Sequence, residues 1–74
     1  MDAPRPLDTL NEARGSRVIV ELKNGKQMIG NLEAFDIHIN TVLSDAEEWV
    51  DGEKSRKIGT MFLRGDTIVM ISPE

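Results

Sequence analysis

Cysteine and tyrosine are both absent from this 74-residue chain. Without thiols no disulfide can staple the fold and no thiolate can hold a metal. One small core of this size is only marginally stable by itself, so oligomerisation is the expected support. Aromatics are scarce, with only Phe35, Trp49 and Phe62, and one subunit therefore cannot offer the multi-aromatic sheet on which RNA-recognition domains stack bases. Basic charge is short as well: nine Lys and Arg face thirteen Asp and Glu, for a net charge of -4. That excludes a broad cationic surface as the main grip on nucleic acid, so any such contact must be local. No apolar run approaches the roughly 20 residues that cross a bilayer, and MDAPRPLDTL lacks a signal-peptide pattern. A soluble cytoplasmic protein without a membrane partner is expected.

What is present reads as one mainly β domain over residues 1–74. Leu7, Leu10 and Ala13 have helical spacing and Gly15 is a helix stop, which predicts a short N-terminal helix over 6–13. Strand patterns then fill 16–72. SRVIVELK alternates Val18, Val20 and Leu22, and Asn24-Gly25 signals a two-residue hairpin. KQMIGNLEAF keeps Met28, Leu32 and Ala34 in phase, with Gly30 where a side chain would obstruct a tight bend. From Ile37 the apolar set moves to odd positions (Ile37, Ile39, Leu43), so the chain must turn or bulge near Phe35 and Asp36. INTVLSDAEEWV is a third strand, VDGEKS a hairpin tip at Asp51-Gly52, RKIGTMFL a fourth strand, and RGD a tight turn into TIVMIS. Five short strands behind one helix predict a small, strongly bent antiparallel barrel. GTMFL and TIVMIS are apolar on both faces, which predicts pairing with another copy of the chain.

His38 is the only histidine. With no second histidine and no cysteine, Asp36 and His38 lack the further ligands of a tetrahedral metal site, and no nucleophile accompanies them in a catalytic motif. A hydrogen-bonded or surface histidine is the more common outcome for a lone histidine at a turn. Asn40 offers both a donor and an acceptor, as reading a base edge requires, and Asp36 could fix its orientation; plain turn chemistry is the more common role of both residue types. Arg64 leaves the sheet at a turn, where a guanidinium can stack on a base or an imidazole, or pair with Asp66 in solvent. The DAEE carboxylates, 45–48, read as a solvated strand face and not as a cation site.

These residues resemble a family. GNLEAFDIHINTVLSDAEE is similar to the first Sm motif, through Gly30, Leu32, Phe35, Asp36, Asn40, Leu43 and Asp45, and FLRGDTIVMISPE to the second, through Arg64, Gly65 and Ile68. RPLDTLNEA is similar to the N-terminal helix of archaeal Sm-like proteins. The resemblance implies an Sm-fold barrel, of the SH3-like or OB-like small-barrel kind, closed into a ring by pairing strand four of one subunit with strand five of the next. A homoheptamer is the usual ring, with a hexamer as the alternative. It further implies single-stranded uridine-rich RNA as partner, one base per subunit near the pore, in RNA processing or metabolism alongside RNA-processing proteins, with no catalysis and no cofactor. By motif position His38 and Arg64 would sandwich the base, Asn40 would bond its edge, Asp36 would orient Asn40, and Asp66 would support the loop. Arg5 with Phe35 would form a secondary contact, although Phe35 stands where some relatives carry tyrosine. Ile39 replaces a frequent methionine, a volume-conserving change expected to cost little. A ring scaffold for protein partners is the alternative reading.

Overall fold

The computed structural model describes residues 5–74. Its helix α1 spans Pro6–Glu12, with Pro6 at the first helical position, where its fixed φ is already helical and its missing N–H costs nothing. Ala13 caps it, and Gly15 turns the chain at φ 83° while donating its N–H to the Leu32 carbonyl at 2.7 Å. Five strands follow: β1 (Arg17–Leu22), β2 (Gln27–Phe35), β3 (Thr41–Val50), β4 (Glu53–Leu63) and β5 (Ile68–Pro73), in the antiparallel order β4-β3-β2-β1-β5. β4 starts three residues before RKIGTMFL, because Asp51 and Gly52 both take positive φ, 53° and 81°, and form a two-residue turn that pairs Val50 directly with Glu53.

The first hairpin differs from the two-residue turn expected at Asn24-Gly25. Gly25 alone has positive φ, 87°, and its N–H donates to the Leu22 carbonyl at 3.0 Å, giving a three-residue loop of Lys23, Asn24 and Gly25. Lys23 and Asn24 thereby become the two central residues of the turn from Leu22 to Gly25.

Val18, Val20, Leu22, Met28, Leu32, Leu43, Ala46 and Leu63 form the core, with Leu10 and Ala13 of α1 packed against it. The bend that closes this core runs through Gly30, where an added Cβ would lie 2.9 Å from the Ser44 carbonyl oxygen and 3.0 Å from the Ala46 Cα. One register shift spans it, between Ile29 and Asn31, and a second follows between Leu32 and Ala34. The second shift turns Ala34 out to solvent, against the phase expected from sequence. Ile37 is likewise 74% exposed, and of the odd-numbered set only Leu43 joins the core.

A third difference concerns Glu48. Asp45 adopts φ 48° at a register shift, which rotates the strand so that Ala46 and Glu48 face inward. Glu48 is only 6% exposed and sits between Lys26 at 3.7 Å and Arg56 at 3.5 Å, a paired charge and not a solvated one. β4 and β5 are the two sheet edges, and the large apolar side chains Phe62 (80% exposed), Val69 and Met70 stand open on them. Among the described residues no helix is long and apolar enough to cross a membrane.

Candidate nucleic-acid interface

The β2–β3 loop, residues 36–40, is built around the Asp36 carboxylate. One oxygen accepts from the backbone N–H of His38 at 2.8 Å and of Asn40 at 3.1 Å, and the other accepts from the Asn40 side-chain amide at 3.0 Å. Backbone bonds Ile39 N–H to Asp36 O (3.0 Å) and Asp36 N–H to Asn40 O (3.2 Å) close the loop. The two readings open for Asp36 in the sequence are therefore both realised, since the same carboxylate shapes the turn and orients Asn40. The Asn40 amide foremost holds the Asp36 carboxyl below the usual carboxylate range; desolvation, next in size, opposes it, and the backbone N–H groups of His38 and Asn40 add to the lowering.

Ile39 stands at φ 62°, a strained conformation for a β-branched side chain, and the Thr41 hydroxyl donates to its carbonyl at 2.7 Å. Ile39 in place of methionine is thus more than a change of equal volume, because branching at Cβ adds backbone strain in the left-handed region.

The turn after β4, a 3-10 segment over Gly65–Thr67, positions the second set of side chains. The Thr67 N–H and hydroxyl both donate to the Arg64 carbonyl, at 3.0 and 2.7 Å. Arg64 itself is exposed and meets Asp66 at 3.4 Å. The Gly65 N–H donates to Asn40 Oδ1 at 2.8 Å, so one carboxamide joins both loops. This also settles its orientation: turned over, its amide would face an N–H and its oxygen a carboxylate. Gly65 is required by contact and not by φ, as a Cβ there would strike the His38 carbonyl oxygen.

Between the loops lies an open depression of about 460 Å³ lined by His38, Asn40, Arg64, Gly65 and Asp66. Four of the five residues singled out for the primary site thus share one surface, and the fifth, Asp36, braces it from behind Asn40. Its faces are an imidazole and a guanidinium, and its polar edge is the part of the Asn40 amide left over after two bonds, one N–H and one lone pair. Such a surface suits a flat ring with donors and acceptors on its rim. Arg5 lies exposed just before α1 and Phe35 packs half-buried on the core; among the described residues no hydrogen bond or ion pair joins them. Thr67 was not visible as a site residue in the sequence. Its only signal was a hydroxyl three positions after Arg64 in a tight turn.

An LSM domain model matches residues 8–73. An snRNP Sm-like protein of Archaeoglobus fulgidus is 54% identical over 70 residues, covering 95% of this chain and 91% of the relative. Among solved structures, a Pyrococcus abyssi Sm protein in complex with a uridine heptamer aligns with TM-score 0.91 and 42% identity, over 96% of this chain and 100% of that one. A heptameric archaeal Sm protein aligns with TM-score 0.83 and 42% identity, over 89% and 96% of the two chains.

Proposed function

The chain belongs to the Sm-like, LSM-domain family, and from that premise we propose that it forms a closed ring binding single-stranded uridine-rich RNA, one base per subunit, without chemistry. The observation that carries this reading is Asn40 bonded at once to Asp36 and to Gly65. It holds His38 and Arg64 on either side of one slot and fixes which edge of the amide remains. A uracil placed there stacks on the imidazole and the guanidinium, takes the free Asn40 N–H on a ring carbonyl, and gives its own N3–H to the open lone pair. Asp66 holds Arg64 over the base through their ion pair. The Asp36 oxygens accept from amide donors and make no hydrogen bond to the His38 ring, which supports a binding role for His38 over a general-base role. Arg5 and Phe35 remain the proposed secondary contact on the helix side.

The ring follows from the two open edges. β4 of one subunit pairs with β5 of the next, covering Phe62, Val69 and Met70, a head-to-tail contact that closes after a fixed number of copies. Seven is the number in the heptameric relative. Stacking is worth about 1–3 kcal/mol per base, and joining identical slots in one ring adds them multivalently, so an acidic protein can hold RNA firmly.

Native mass spectrometry with oligo-U and oligo-A tests the reading directly. His38→Ala, Asn40→Ala and Arg64→Ala are each expected to weaken oligo-U binding while the ring stays intact. Intact rings with no preference for oligo-U over oligo-A would replace the reading with a protein scaffold.

A further inference from the structure

A phosphate-bearing strand needs cations beside its bases, and most of this chain's cations are already engaged. Arg17 and Lys54 pair with Glu47, Lys26 and Arg56 with Glu48, and Arg64 with Asp66. Arg14 donates to the Glu33 carbonyl and to Asn11. Lys57 lies on the β3–β4 ribbon opposite Glu47, and Arg5 at the start of α1.

Arg5, Lys23 and Lys57 are all exposed and have no ion pair among the described residues. Lys23 differs in its place: its backbone N–H donates to the Thr67 carbonyl at 2.9 Å, which fastens the β1–β2 loop to the turn that carries Arg64. A second depression of about 400 Å³, floored by Leu22, Phe62 and Leu63, runs from Lys23 and Asn24 to Arg64, Asp66 and Thr67 at its polar rim, so it shares the Arg64–Asp66 pair with the base slot as a common wall. The three-residue form of the first hairpin is what places Lys23 there, since it makes Lys23 a central turn residue.

We propose that Lys23, with Asn24 beside it, forms a phosphate subsite that holds the sugar–phosphate backbone of the strand whose base occupies the neighbouring His38–Asn40–Arg64 slot. This rests on the RNA-binding reading above. The division of labour is physical: the slot reads the base, whereas Lys23 neutralises charge and carries no base information. Arg64 cannot supply that neutralisation alone because Asp66 cancels much of its charge at 3.4 Å.

The test is oligo-U affinity measured against salt for the intact ring. Each phosphate neutralised on a single strand contributes about 0.7 to the slope of log affinity on log salt. Lys23→Gln should therefore lower that slope by about 0.7 for every lysine the strand engages, or about 2.6-fold in affinity across a fourfold change in salt. The ratio of oligo-U to oligo-A affinity should not move, and Lys23→Arg should restore the slope. Lys57→Gln removes the same charge elsewhere and should leave the slope unchanged. A Lys23→Gln slope equal to wild type, or a Lys57→Gln loss of the same size, overturns the subsite while leaving the base slot standing if His38→Ala still weakens binding. Wild-type protein with no affinity for oligo-U overturns both.

Discussion

Replacing Gly65 with alanine adds one methyl group at the point where the β2–β3 loop touches the turn after β4. The new Cβ would overlap the His38 carbonyl oxygen and would lie 2.9 Å from the carbonyl carbons of both His38 and Ile39. Carbon atoms pack at about 3.5 Å or more, so the loops must part by at least about 0.6 Å, and by more to clear the oxygen. The Asn40 Oδ1 bond to the Gly65 N–H, now 2.8 Å, is then stretched beyond useful length. Overpacking of this kind costs about 1–3 kcal/mol of stability. The functional loss comes from the slot itself: parting the loops moves the His38 side apart from the Arg64 side, and part of the roughly 1–3 kcal/mol of stacking per base disappears. A loss of about 1.4 kcal/mol at each site lowers its affinity about tenfold, and a strand spanning several sites multiplies the effect. Titration calorimetry of rings whose mass is confirmed by native mass spectrometry reads this out. Gly52→Ala is the control, since Gly52 has open space around it but φ 81°; it should cost about 1–2 kcal/mol through backbone strain and leave RNA affinity alone. If Gly65→Ala binds oligo-U as well as wild type with the ring intact, contact between the loops does not set the width of the slot.

Asp36 has its carboxyl held down by donors that exist only in the folded loop. Its stabilisation is therefore fully present above its unfolded value of about 3.9 and is lost as pH falls through the lower folded value. Carboxyl NMR should show Asp36 titrating below the usual carboxylate range in wild type and moving upward in Asn40→Ala; an unmoved midpoint would mean that the amide does not hold it. For Glu48, removing its charge and removing its partners should differ. Glu48→Gln leaves two solvated cations and should cost about 1 kcal/mol or less, whereas Lys26→Ala with Arg56→Ala strands a buried carboxylate and should cost about 3 kcal/mol in urea unfolding at matched subunit concentration. Equal costs would contradict the burial of Glu48. Phe62→Glu should dissociate the ring, because burying a phenylalanine contributes about 1.5–3 kcal/mol at every interface and a glutamate on that edge repels association; a ring of wild-type mass would place the interface elsewhere.

Most of the architecture was legible in local pattern. Alternation of Val18, Val20 and Leu22 fixed which face of β1 is inside, Gly30 marked the bend, and Asp51-Gly52 marked a turn, since each depends on neighbours in the chain. The same local logic failed at Ala34, Ile37 and Glu48. Register shifts beside Leu32 and Ala46 move the phase by one residue, and the apolar spacing does not mark the residue at which each shift falls. The first hairpin also defeated it, because Asn24-Gly25 is compatible with both a two-residue and a three-residue loop.

The candidate site divides in the same way. Sequence by itself determined the chemical groups available: one imidazole, one carboxamide flanked by a carboxylate, a turn arginine, and apolar edge strands with nothing in their own chain to cover them. Which of these meet was decided only by tertiary structure. His38 and Arg64 are separated by 25 intervening residues that include all of β3 and β4. They come to share one slot because the β3–β4 ladder pairs Thr41 with Leu63, which sets the β2–β3 loop beside the turn after β4, where Asn40 and Gly65 can bond. Lys23 arrives beside them through the pairing of β1 with β5, which brings the β1–β2 loop to Thr67. Residue types and local periodicity are written along the chain, whereas these meetings depend on how strands twist, bulge and close in three dimensions.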